Sequence, residues 1–151
     1  MKEFNNINEI LDFAIGEEQS AVDFYLQLAA GSKNRQTSKI FQEYAEEEMR
    51  HKAHLLAVKE SGSFQLADEK VRDLKITEYL VDVKPSPNMT YQDALILAMK
   101  KEKAAFRMYS ALAEKATDPS VKNTFLNLAQ EESKHKLRFE IEYDDFILKE
   151  N

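Results

Sequence analysis

Apolar residues recur along this chain at alternating steps of three and four, the spacing that puts one stripe on one face of an α-helix. Ile7, Leu11, Ala14, Glu18, Ala21, Tyr25 and Leu28 form the first such row and predict a helix over about 7–30. Phe41, Tyr44, Glu48, His51, Leu55 and Val58 predict a second, over 35–61. Tyr91, Leu95, Ala98, Glu102, Ala105, Tyr109 and Leu112 predict a third, over 91–116. Val121, Phe125, Leu128, Glu132, His135 and Phe139 predict a fourth, from Asp118-Pro119 to about Leu148. Boundary signals agree. Asn6 followed by Glu9 resembles a capping box, Gly31 and Gly62 read as stops, Thr90 precedes the third helix with Asp93 in its first turn, and Asp118 precedes a proline suited to the first helical position. The turns near residues 33 and 117 are short, so each makes antiparallel neighbours of its flanking helices. Residues 62–89, with Pro85-Ser86-Pro87, are long enough to cross the full length of a bundle. Within them, 71–83 is expected to hold a short helix or an extended piece. The expected fold is all-α: one domain over 1–151, an antiparallel four-helix bundle built from two helical hairpins joined by a long crossover.

The two hairpins repeat each other. At an offset of 84, Ala14 matches Ala98, Glu18 matches Glu102, Ala21 matches Ala105, Tyr25 matches Tyr109 and Leu28 matches Leu112. The same offset takes Phe41 to Phe125, Ala45 to Ala129, Glu48 to Glu132 and His51 to His135. A shared helical period accounts for apolar matches. It does not account for Glu, Tyr and His matching at one offset.

Each apolar row is interrupted by a carboxylate in its middle. A buried carboxylate needs a proton, a partner or a metal. Glu18 and Glu48 lie symmetrically about residue 33, and Glu102 and Glu132 about residue 117, each roughly 20 Å from its bend at 1.5 Å per residue. Both members of a pair therefore sit at one height. His51 and His135 follow their glutamates at i+3 on the same face. Four glutamates and two histidines converging on one level match the carboxylate–histidine ligand set of di-iron four-helix bundles. Oxygen and imidazole donors suit iron or manganese, with zinc as a possible substitute. Glu17 is a poorer candidate than Glu18 because it matches Lys101. Glu47 and Glu131 match each other but fall outside the apolar rows. His54 matches Arg138 and reads as a rim residue. Met49 matches Ser133 and reads as a helix-surface methionine rather than a haem ligand.

The motifs A-I-G-E-E-Q-S-A-V-D-F-Y, E-E-E-M-R-H, A-M-K-K-E-K-A-A-F-R-M-Y and Q-E-E-S-K-H resemble those of the rubrerythrin branch of the ferritin-like superfamily, across all four helices. The resemblance implies a ferritin-like bundle with two iron ions held by Glu18, Glu48, His51, Glu102, Glu132 and His135. It implies an oxidoreductase that reduces hydrogen peroxide, or dioxygen, with electrons from an external protein such as a rubredoxin. Tyr25 and Tyr109, two turns from Glu18 and Glu102, are expected to hydrogen-bond ligating carboxylates. The chain departs from the family in two ways. It has no Cys, so no rubredoxin-like centre. Ala105 stands one turn after Glu102, where an extra carboxylate is common. The fifth helix that bacterioferritins and ferritins usually add for cage assembly is not expected before Asn151, which speaks against a closed storage shell. Ferroxidase or iron handling is the alternative function, and a structural bundle a distant third.

Composition narrows the rest. The absence of Cys excludes disulfides, thiolate metal sites and Cys nucleophiles. A formal net charge of −6 argues against a nucleic-acid surface. No apolar run has the length of a membrane span, and the N-terminus lacks a signal-peptide core. A cytoplasmic homodimer, without nucleic acid or membrane as partner, is the expectation.

Overall fold

A computed structural model describes residues 4–76, 86 and 88–150. The described residues form five helices: α1 (Ile7–Gly31), α2 (Arg35–Ser61), α3 (Asp68–Asp73), α4 (Tyr91–Lys115) and α5 (Pro119–Glu150). There is no strand among the described residues, and the fold is all-α as the periodicity predicts. Two compact units emerge, one carrying α1 to α3 and the other α4 and α5.

In the first unit α1 and α2 form a hairpin. Asn6 caps α1 by accepting from the Glu9 N–H at 3.0 Å. The Glu9 carboxylate accepts from the Asn5 N–H at 2.8 Å, so the return bond lands one residue earlier than in a capping box. Gly31 is the last helical residue rather than a left-handed stop, and the chain leaves through extended Ser32. Asn34 then caps α2 by accepting from the N–H groups of Gln36 and Thr37, a cap that the apolar pattern does not reveal. Ser38 Oγ donates to Ala29 O at 2.8 Å across this turn. Helix α2 ends at Gly62, which adopts φ 65°. Left-handed backbone penalises a side chain, because Cβ crowds the following carbonyl. A Cβ at Gly62 meets no neighbour within 4 Å, so the strain is purely conformational. Gly16 lies inside α1, and a Cβ there also meets open space. Gly62→Ala is therefore expected to cost about 1 kcal/mol, and Gly16→Ala to gain about 0.5–1 kcal/mol. Urea unfolding of the pair checks both signs. Beyond Gly62, α3 begins at Asp68 and buries Val71. It covers only the start of the segment expected to be helical or extended; residues 77–85 lie outside the described set.

The second unit repeats the design. Thr90 Oγ1 accepts from the Asp93 N–H and caps α4. Asp118 Oδ1 accepts from the N–H groups of Ser120 and Val121 ahead of α5. The open end of the hairpin is joined by Tyr91, whose hydroxyl donates to Glu142 at 3.1 Å and whose ring meets Phe146 edge-on. Burial, then the Glu142 charge, hold that phenol well above the usual tyrosine range.

Most row positions are buried as expected, including Ile7, Leu11, Ala14, Phe41, Leu55, Leu95, Ala98, Phe125, Leu128 and Phe139. Ala21, Leu28, Tyr44, Tyr91 and Ala105 are only half-buried. Conversely Ile10, Val22, Phe24, Leu97 and Met108 are buried outside the rows. The buried face of a globular helix is wider than a single i, i+3, i+4 line, and its centre shifts along its length. No described helix is long and apolar enough to cross a membrane.

Candidate metal centre

Each hairpin buries two carboxylates and one imidazole at mid-length. In the first, Glu18 comes from α1, and Glu48 and His51 come from one face of α2; they are 3%, 1% and 5% exposed. In the second, Glu102 comes from α4, and Glu132 and His135 come from α5; all three are 2% exposed. His51 Nδ1 lies 3.7 Å from Glu18 Oε2 and 3.3 Å from Glu48 Oε1. His135 Nδ1 lies 3.8 Å from Glu102 Oε1. In either triad, one donor atom from each residue lies within 4.8 Å of the other two. The equal heights predicted from the hairpin bends are met in both units.

The same imidazole nitrogen, Nδ1, faces the carboxylates in both triads. The i, i+3 spacing forces this alignment only in part, because the rotamer is chosen by packing. Burial is the main reason why the Glu18 carboxyl stands well above the usual carboxylate range, and the neighbouring Glu48 charge adds to it. His51 offers partial relief. Burial acts to lower the His51 value, but Glu18 and Glu48 outweigh it and push the imidazole up to about 10. Without metal, the first triad thus retains protons. A divalent cation bound here would take their place as counter-charge, since metal ligation requires a carboxylate and a neutral imidazole. Two carboxylates per triad balance one such ion. The donor set fits iron, manganese or zinc and lacks any thiolate.

The alternatives weighed in the sequence separate by exposure. Glu17, Met49 and His54 are exposed, while Glu47 and Glu131 are half-buried. Ala105 contributes no donor. Tyr25 and Tyr109 are each 1% exposed. The Tyr25 ring meets Tyr44 edge-on at 6.2 Å, whereas Tyr109 stacks on Phe125 at 6.2 Å. One link was not foreseen. Lys52 Nζ donates to Gln19 Oε1 at 2.8 Å, tying α1 to α2 beside Glu18 and His51. The repeat gives no hint of it, because Gln19 matches Lys103 and Lys136 instead pairs with Glu140 in its own helix.

A sequence model of the Rubrerythrin family matches residues 9–143, a span that includes both triads. In comparisons with curated proteins and with solved structures, nothing matched the chain.

Proposed function

This chain belongs to the rubrerythrin family, and on that premise we propose that it is a di-iron oxidoreductase that reduces hydrogen peroxide with electrons from an external donor protein. One observation carries the reading: each hairpin independently buries a Glu, Glu, His triad with its donor atoms clustered. An ordinary helix pair has no use for two buried carboxylates beside an imidazole, because their desolvation is costly. Family membership implies a di-iron ligand set made of Glu18, Glu48, His51, Glu102, Glu132 and His135. Glu18 and Glu102 come from the leading helix of each hairpin; Glu48 with His51 and Glu132 with His135 come from the following helices.

Two ferrous ions held by these residues would supply the two electrons needed to reduce the O–O bond of peroxide. The rest falls to the chain. The four carboxylates fix metal spacing and charge, and Nδ1 of His51 and of His135 completes each triad. The apolar walls around Tyr25 and Tyr109 limit water, and their hydroxyls orient ligating carboxylates. The overall conversion is H2O2 with two electrons and two protons to two waters. Without Cys there is no thiolate redox centre in the chain, so a rubredoxin-type protein refills the site.

The test is metal analysis of the purified protein, followed by rapid mixing of the di-ferrous form with peroxide and, separately, with dioxygen. About two irons per chain and much faster oxidation by peroxide are expected. Faster reaction with dioxygen, with iron accumulating beyond two per chain, assigns the protein to iron handling instead. Failure to bind metal after reconstitution sinks the reading.

A further inference from the structure

The two hairpins differ beside their triads at one chemically telling position. Tyr44 stands on α2 where the offset of 84 places Leu128 on α5. Leu128 is buried and shows that packing at this position needs only an aliphatic side chain. Tyr44 is half-buried, so part of its side chain is open to solvent. Its ring meets that of buried Tyr25 edge-on at 6.2 Å, a standard aromatic contact. Tyr44 lies one turn from Glu48, about 6 Å along the axis, and Tyr25 two turns from Glu18, about 10 Å. In the second hairpin, Tyr109 stacks on Phe125, a ring far harder to oxidise.

We propose that Tyr25 and Tyr44 form a one-electron relay linking the first hairpin's triad to the protein surface. The inference rests on the peroxide-reducing reading and adds a route for its electrons. When peroxide arrives before the donor has refilled the site, the phenols supply the missing equivalents: H2O2 + 2 Tyr–OH → 2 H2O + 2 Tyr–O•. Each phenol loses one electron and one proton; the O–O bond breaks and two O–H bonds form. Tyr25 gives the first equivalent; a hydrogen atom then passes to it from Tyr44, which leaves the first radical at the half-buried Tyr44 ring and frees Tyr25 to give the second. There an external one-electron reductant and a solvent proton restore the phenol. The oxidising equivalent thus leaves through the hairpin that has a second tyrosine.

The test follows radicals, not turnover alone. Iron-loaded protein is mixed with excess peroxide without donor protein, and samples are frozen at intervals for electron paramagnetic resonance, with and without ascorbate. The wild-type protein is expected to show a tyrosyl signal that ascorbate quenches. In Tyr44→Phe the ring packing is kept but the exit is lost, so the Tyr25 signal decays about tenfold more slowly with ascorbate, a barrier increase of roughly 1.4 kcal/mol. Tyr44→Leu, which copies the second hairpin, behaves alike, and Tyr44→Trp restores fast decay because indole is oxidisable. Tyr143→Phe, at an α5 phenol that accepts from Gln92 in the second hairpin, leaves the decay unchanged. Metal content and donor-supported peroxide consumption are read on the same samples. Normal values there, with equal radical decay in wild type and Tyr44→Phe, overturn the relay and leave the functional reading standing. Absence of bound metal overturns both.

Discussion

Replacing Glu18 and Glu102 together by glutamine is expected to remove metal binding and peroxide turnover while leaving the metal-free protein folded. Glutamine keeps the shape and one acceptor oxygen but not the charge. Each triad then has a single carboxylate, too little to balance a divalent ion taken out of water. Stability moves the other way. Glu18 is 3% exposed beside Glu48, and both burial and that charge resist its ionisation. A neutral amide removes the repulsion, so the metal-free double variant should match or exceed the wild type, by about 1 kcal/mol or more, as with other buried charges replaced by neutral groups. Added metal should raise the wild-type unfolding midpoint, by about 2.7 kcal/mol of stability at a hundredfold excess over Kd, and leave the variant unmoved. Metal analysis, peroxide assay and urea unfolding with and without ferrous iron measure all three. Unchanged metal content and turnover in the double variant would falsify the ligand assignment and favour a purely structural bundle.

Phe125→Ala should be the most destabilising single change outside the triads. Phe125 is fully buried on α5 and stacks on Tyr109. Truncation removes a large apolar surface and leaves a cavity that close-packed neighbours fill only in part, for a cost of about 3–5 kcal/mol. That is a substantial share of the roughly 5–15 kcal/mol available to a domain of this size. Phe106, on α4 and 39% exposed, provides the comparison: Phe106→Ala should stay within about 1 kcal/mol. Denaturant unfolding of the metal-free proteins separates the two. Equal effects at both positions contradict the burial pattern of the second hairpin.

The ligand candidates were legible in the chain because an apolar row leaves a charged residue conspicuous, and because the repeat tests each candidate against a counterpart. Glu17 fails that comparison where Glu18 passes, and the structure exposes the one and buries the other. The helix limits were also legible to within a residue or two, since Asn6, Thr90 and Asp118 are capping types at the right places. The Asn34 cap was not, because Ser32-Lys33-Asn34 contains no apolar period to mark its edge. Gly31 reads as a stop but has no left-handed backbone, since Ser32 and Asn34 turn the chain without it.

The sequence by itself determined that this is an all-α chain of duplicated hairpins with carboxylates and imidazoles in its core rows, because a 3.6-residue period and a repeat offset are properties of the chain alone. Tertiary structure decided what periodicity cannot encode: how deeply each face is buried, which imidazole nitrogen turns inward, and which aromatic rings meet. Ala21 and Tyr44 share rows with fully buried residues yet remain half-exposed. Nδ1 of both histidines faces carboxylates, and Tyr25 meets Tyr44. A helical period assigns a residue to a face, but rotamer and depth depend on what the neighbouring helix places opposite it.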